Sequence, residues 1–164
     1  MDFPLLLNRF SRAIELRDAD GLADLFTDDG VYDDYFFGAA EPGRAGVNAT
    51  VDHFYKGGAS YRWEFFSPLA SASLGYASYR FSYNSILPEA NGARVVFDGM
   101  SRFDLEAGRI KRYSEVFDRG MALVQVGFAP ERLHKIGLRY ARELRAMPAI
   151  APHLANEGSA SLAD

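Results

Sequence analysis

The stretch from Tyr61 to Asp118 constrains this chain more than any other part of it. It reads as four strand-forming runs, 61–66, 74–87, 94–105 and 110–118, rich in Tyr, Phe, Val and Ile. Two of the joints are tight. Pro88 to Gly92 contains Asn91-Gly92, a hairpin signal, and Ala107-Gly108 is a second turn. Connections this short cannot return the chain to the start of a parallel neighbour, so these runs pair antiparallel.

Helical patterns surround the strands. Phe3, Leu6, Leu7, Phe10 and Ile14 recur at three- and four-residue steps, which predicts an amphipathic helix over 3–17. Asp18-Ala19-Asp20 supplies cap residues for a short second helix carrying Leu22, Leu25 and Phe26. Thr27 to Gly30 reads as a turn, Val31 to Phe37 as a strand, and Gly38 to Gly43 as a loop. A third helix is predicted over 45–56, ended by Gly57-Gly58. Asp118 caps a short helix through Gln125, and Pro130 to Ala146 is amphipathic.

The order is α+β: a curved, cone-shaped antiparallel sheet wrapped by N-terminal helices, with a C-terminal helix. With 164 residues, one domain over 1–147 accounts for the chain. Pro148 and Pro152 stop the last helix, and 148–164 is expected to be a flexible tail.

Composition narrows the function. With no cysteine, the chain has no thiolate nucleophile and no Cys-ligated metal. A net charge of −4 argues against nucleic acid as the main partner. No apolar run is long enough to span a membrane. The start, Met1 to Arg9, has no basic region ahead of its apolar stretch, so a cytoplasmic protein is expected. No His/Asp/Glu cluster has metal-ligand spacing and no Gly-rich phosphate loop follows a strand, so neither a metal nor a cofactor is expected. The aromatic residues, 13 Phe, 9 Tyr and 1 Trp, are 14% of the chain; a pocket for a flat apolar ligand is one use for them, and a tightly packed aromatic core is the other.

Period 2 sorts the strand residues by face. On the long strand Ser78, Arg80, Ser82 and Asn84 share one face, and Tyr79, Phe81 and Tyr83 share the other. Periodicity alone turns the aromatic face inward. On the last strand Lys111, Tyr113, Glu115 and Phe117 lie together. The aromatic neighbours of Glu115 suggest an inward face, and a buried Glu there needs a partner. Arg80 would be one if its strand also turned that way. The residues themselves leave both pictures open.

The helix–helix–turn opening, the Gly38–Gly43 loop and the ending GRIKRYSEVFD (108–118) resemble the SnoaL-like branch of the nuclear transport factor 2-like superfamily, over about residues 5–130. That superfamily hosts isomerases, cyclases, dehydratases, hydrolases and non-enzymes. The nearest residue match is to limonene epoxide hydrolases. Their tyrosine-x-asparagine pair falls on Tyr32 and Asp34, and their arginine-x-aspartate pair, counted back from Pro88, falls on Arg80 and Ser82. Their last-strand aspartate falls on Glu115. Ser82 and Asp34 depart from that pattern, and the epoxide-protonating aspartate is lost.

The resemblance therefore implies one pocket with Tyr32, Asp34, Arg80 and Glu115 as catalytic residues, Arg80 bridging the two carboxylates. Ser82, Asn84, Trp63, Tyr113, Phe117 and His53 would line it. The implied activity is cofactor-independent acid–base catalysis on an aromatic small molecule. The chain is compatible with the branch of bacterial lyases that deformylate lignin-derived diarylpropanes to stilbenes. A polyketide cyclase, a ketosteroid-type isomerase, an epoxide hydrolase and a non-catalytic ligand-binding module are the alternatives. If Arg80 faces inward, Tyr79, Phe81 and Tyr83 form an outer aromatic stripe, and a homodimer is expected on it.

Overall fold

A computed structural model describes residues 2–155. Helix α1 (Phe3–Glu15) begins where the Asp2 side chain accepts a hydrogen bond from the Leu5 amide at 2.9 Å. Its buried stripe is Phe3, Leu6, Leu7, Phe10, Ala13 and Ile14. Helix α2 (Ala19–Ala23) is capped by Asp18, and α3 (Arg44–Gly57) buries Val47 and Val51. The strands are β1 (Phe26–Asp34), β2 (Gly38–Ala39), β3 (Gly58–Ala70), β4 (Leu74–Ser85), β5 (Arg94–Glu106) and β6 (Arg109–Phe117). Helices α4 (Arg119–Gln125) and α5 (Pro130–Arg145) follow. In the expected tail, Pro148–Ile150 forms a turn of 3₁₀-helix and Ala151–Leu154 a short helix α6. The remainder of that tail lies outside the described residues.

One open, curved sheet of six strands in the order β2-β1-β6-β5-β4-β3 carries the fold. The four long strands pair antiparallel, as the tight joints require. Both central residues of the β5–β6 turn have positive φ, Ala107 at 49° and Gly108 at 81°. Two features differ from the sequence reading. The first strand starts at Phe26 rather than Val31, because Thr27 to Gly30 form an irregularity within the strand and not a turn before it. It also pairs parallel to β6, with Tyr32 beside Tyr113 and Asp33 beside Ser114.

Phe10 is the hub of the core. Its ring is fully buried and meets Trp63 edge-on at 5.4 Å, Tyr113 at 4.8 Å and Tyr32 at 5.9 Å. The aromatic residues therefore supply both the core and, further along the same sheet face, the wall of a cavity.

The register inferred for β4 is overturned. Tyr79 and Phe81 are buried on the concave face with Tyr83 beside them, and Arg80 points outward. Its guanidinium forms a forked pair with Asp98 across the strand, at 2.8 and 2.9 Å, and its side chain is 58% exposed. Ser82 and Asn84 also face outward, where Arg94 donates to both. Burying three aromatic rings is favourable by a few kcal/mol each, whereas burying a guanidinium needs a paired anion. The stripe expected to mark a dimer interface is therefore inside. The outer face instead exposes Phe66, Tyr76, Val96, Met100 and Val116.

Candidate active site

A cavity of about 670 Å³ opens between the concave face of the sheet, α3 and the α4–α5 arm. Its wall is aromatic, with Tyr61, Trp63, Phe81, Phe97 and Phe117 among the lining side chains. Two carboxylates, Asp34 and Glu115, also line it, and both are buried.

Glu115 reaches this position through the alternation of β6. Tyr113 and Glu115 point inward, and Ser101 on β5 is the cross-strand neighbour of Glu115. The Tyr79 hydroxyl donates to Glu115 Oε2 at 2.6 Å and the Tyr113 hydroxyl donates to the same oxygen at 3.0 Å. With its proton so committed, Tyr113 accepts from Ser101 Oγ at 3.0 Å. Gly99, opposite Tyr79 on β5, makes room for this arrangement. A Cβ there would come within 2.4 Å of the phenol.

Asp34 closes β1. Because β1 runs parallel to β6 with Asp33 beside Ser114, the next residue along each strand puts Asp34 alongside Glu115. Asp34 Oδ1 accepts from the Phe36 and Phe37 amides at 2.7 and 2.9 Å, so the chain turns around its own carboxylate.

The two acids have different electrostatic surroundings. Burial raises the Glu115 pKa to about 8, the charge of Asp34 adds to the rise, and the hydrogen bonds from Tyr79 and Tyr113 oppose it. Glu115 thus holds its proton at neutral pH. Both phenols donate to Oε2, which leaves Oε1 to carry that proton. Burial also raises Asp34, but its two amide donors and the nearby His53 favour the charged form. Burial pushes the phenols of Tyr79 and Tyr113 well above their ordinary range, so they act as neutral donors.

The structure brings some of the expected residues together and separates others. Asp34, Glu115, Trp63, Phe117 and His53 line the cavity. Tyr113 acts beneath it through Glu115. The Tyr32 ring is fully buried under Phe10, and its hydroxyl has no hydrogen-bond partner. Arg80, Ser82 and Asn84 are on the opposite side of the sheet, so Arg80 does not bridge the carboxylates. Hydrogen-bond donors from neutral groups take that place.

Four contributors were missed from sequence: Tyr79, Gly99, Ser101 and the α5 side chains. Gly99 carried a usable signal, since a glycine within a strand often marks close approach by a neighbour. Helix α5 reaches the cavity through Arg132, Ile136, Arg139 and Tyr140. It is tied down where the Tyr140 hydroxyl donates to the Phe36 carbonyl at 3.3 Å. The Arg119 guanidinium also lies between the Tyr35 and Tyr140 rings, at 3.4 and 3.8 Å from their centres. Among the described residues no three His, Asp or Glu side chains converge as a metal site, and no helix is long and apolar enough to cross a membrane.

Compared by sequence, the chain matches no curated protein. Solved structures share its fold at low identity. A hypothetical protein with a ketosteroid isomerase-like fold from Catenulispora acidiphila, in complex with trimethylamine, aligns at a TM-score of 0.69 and 15% identity over 78% of this chain and 96% of that one. A polyketide cyclase candidate from Xanthomonas campestris pv. campestris aligns at 0.61 and 22% identity, over 75% and 95%. An epoxide hydrolase of M. tuberculosis, similar to the limonene enzymes, aligns at 0.59 and 18% identity, over 74% and 86%. The model of the SnoaL-like domain matches residues 7–113, well over half of the chain. This chain belongs to the SnoaL-like family of the nuclear transport factor 2-like superfamily.

Proposed function

We propose that this protein is a cofactor-independent acid–base enzyme acting on a hydrophobic aromatic small molecule, and that its reaction is that of a lyase. The observation that supports this reading is the pair of adjacent buried carboxyls in an aromatic cavity, Glu115 held neutral by burial beside an Asp34 whose carboxylate accepts two backbone amides. Environments that separate two like groups in this way assign an acid and a base. The SnoaL-like fold is compatible with isomerase, cyclase or epoxide hydrolase activity, and the lyase assignment goes beyond that.

The substrate we assign is a lignin-derived diarylpropane diol with a para-phenol. Glu115 gives its proton to the benzylic hydroxyl. The C–O bond breaks, water leaves, and loss of the phenolic proton to solvent yields a quinone methide. Asp34 then takes the proton of the terminal hydroxyl. The O–H electron pair becomes the C=O of formaldehyde, and the carbon–carbon bond to that carbon breaks. Its electrons form the central double bond as the ring regains aromaticity and its phenolic proton. Passage of the proton from Asp34 to adjacent Glu115 resets the site. The products are a stilbene, formaldehyde and water.

An isomerase is the second reading. Asp34 would remove a proton next to a carbonyl, and neutral Glu115 would donate to the developing oxyanion. The hydrogen-bond network of Tyr79, Tyr113 and Glu115 favours it over epoxide hydrolysis, since Arg80 is outside the pocket. Incubation with a panel of phenolic diols, enones and epoxides, scored for aldehyde release, double-bond migration and water addition, separates the three. Formaldehyde and stilbene formed one to one from a diol is the expected result. Activity only on enones or epoxides refutes the lyase assignment.

We also assign a homodimer, through the outer sheet face. Met100 and Val116 are cross-strand neighbours there, 49% and 56% exposed. Sedimentation at micromolar concentration is expected to give twice the chain mass of 18.2 kDa. A monomer refutes the assignment.

A further inference from the structure

The cavity is polarised along its depth. Its two carboxylates are buried at the inner end. All other charged side chains on its wall are basic and exposed: Lys56, Arg132 and Arg139, with His53 beside them. This is out of keeping with a chain in which 22 acidic residues outnumber 18 basic ones. Two separate elements supply the basic groups, α3 and α5, and both meet the Phe36–Phe37 turn. The His53 ring lies 4.1 Å from that of Phe37, and Tyr140 reaches the Phe36 carbonyl.

The basic groups are placed but incompletely neutralised. Arg132 pairs with Glu89 at 2.7 Å and lies over the Phe128 ring at 3.6 Å, which fixes its orientation. Arg139 has a 3.6 Å contact with Glu143 along its own helix and lies 5.0 Å from the centre of the Tyr140 ring. Lys56 takes part in no ion pair among the described residues. The mouth thus offers cations to a ligand anion. Burial favours the neutral form of both inner carboxyls, whereas Lys56, Arg132 and Arg139 are exposed cations.

We infer that the preferred ligand is an aromatic carboxylate, seated with its rings on the aromatic wall and its carboxylate at the Lys56–Arg139 mouth. A carboxylate fits because it is fully ionised at neutral pH, whereas a phenol there is mostly neutral. Guanidinium and ammonium groups then supply charge-assisted hydrogen bonds. The inference deepens the enzymatic reading by specifying the substituent that points outward. It rests on that reading only for the use of this cavity.

The test is equilibrium binding to the full chain, without turnover. Biphenyl-4-carboxylate and biphenyl-4-carboxamide share size and aromatic area and differ in charge. Trp63 is the sole tryptophan, so its emission reports occupancy directly, with titration calorimetry as a check. The carboxylate is expected to bind about tenfold tighter at low salt, as two or three half-exposed ion pairs would give. That advantage should shrink in high salt. It should also fall to about twofold or less in a Lys56→Met/Arg139→Met variant, which keeps the aliphatic stems. Equal affinity for the two probes, or an advantage that survives in the variant, overturns the carboxylate assignment and leaves the lyase reading standing. Failure of both probes to bind overturns the cavity as the ligand site, and the two proposals then fall together.

Discussion

Replacing Glu115 by Gln separates an acid held neutral by burial from an ordinary core residue. In the folded chain the Glu115 pKa stands at about 8, against 4.5 for the free side chain. Between those values the folded state binds a proton that the unfolded chain has released. Stability must therefore fall as pH rises through this window, from full at about pH 4.5 to a plateau above about pH 8. Three and a half pH units at ~1.4 kcal/mol each set the total near 5 kcal/mol, as an order of magnitude. Gln keeps the size and the acceptor for Tyr79 and Tyr113 but cannot ionise. The variant should then lack this slope and be the more stable protein at pH 9. Urea unfolding of both proteins at several pH values between 5 and 9 measures the difference. Activity should fall by about 10²–10⁴ in the variant, the usual worth of a positioned acid. Two unfolding profiles that run parallel across this range would refute the assignment of a raised pKa to Glu115. A variant with wild-type kcat would remove it from the chemistry.

Other substitutions test the rest of the argument. Arg80→Leu should leave kcat within about twofold of wild type and barely change thermal unfolding, because it breaks an exposed pair with Asp98; a large loss of activity would return Arg80 to the pocket. Gly99→Ala should lower kcat and move the alkaline limb of the pH–rate profile upward. The added methyl displaces the Tyr79 hydroxyl, which holds the Glu115 pKa down, and Tyr79→Phe should produce the same shift; an unmoved limb in both argues that the hydroxyl does not tune the acid. Ala107→Asn should stabilise the chain by about 0.5–1 kcal/mol, since φ at Ala107 is positive and asparagine tolerates that region better. Thermal unfolding reads it, and no gain would show that the turn relaxes at little cost.

How far the sequence reaches can be followed residue by residue. The hairpins at Asn91-Gly92 and Ala107-Gly108, the amphipathic stripe of α1 and the break at Gly57-Gly58 are local features. Turn chemistry and hydrophobic period encode them within a few residues, and the structure keeps them. The same is true of the inward face of β6, where Tyr113, Glu115 and Phe117 alternate as expected.

The facing of β4 was only half local. Both of its faces hold side chains that could point inward, and apolar burial decided for Tyr79, Phe81 and Tyr83. Burial of Arg80 would have required a buried anion placed to meet it, and Asp98 met it outside instead. The pairing of the two carboxylates was not local at all. Asp34 and Glu115 come together because β1 joins β6 in parallel, and a register between segments about 80 residues apart leaves no mark in either one. The cover over the cavity is of the same kind. The pattern of α5 shows an apolar stripe, but only packing against the Phe36–Phe37 turn sets which side chains close the pocket. Sequence by itself determined the elements and the residue types available for chemistry. Long-range pairing decided which of them meet, because the free energy that selects a register is shared among contacts that exist only once the chain is folded.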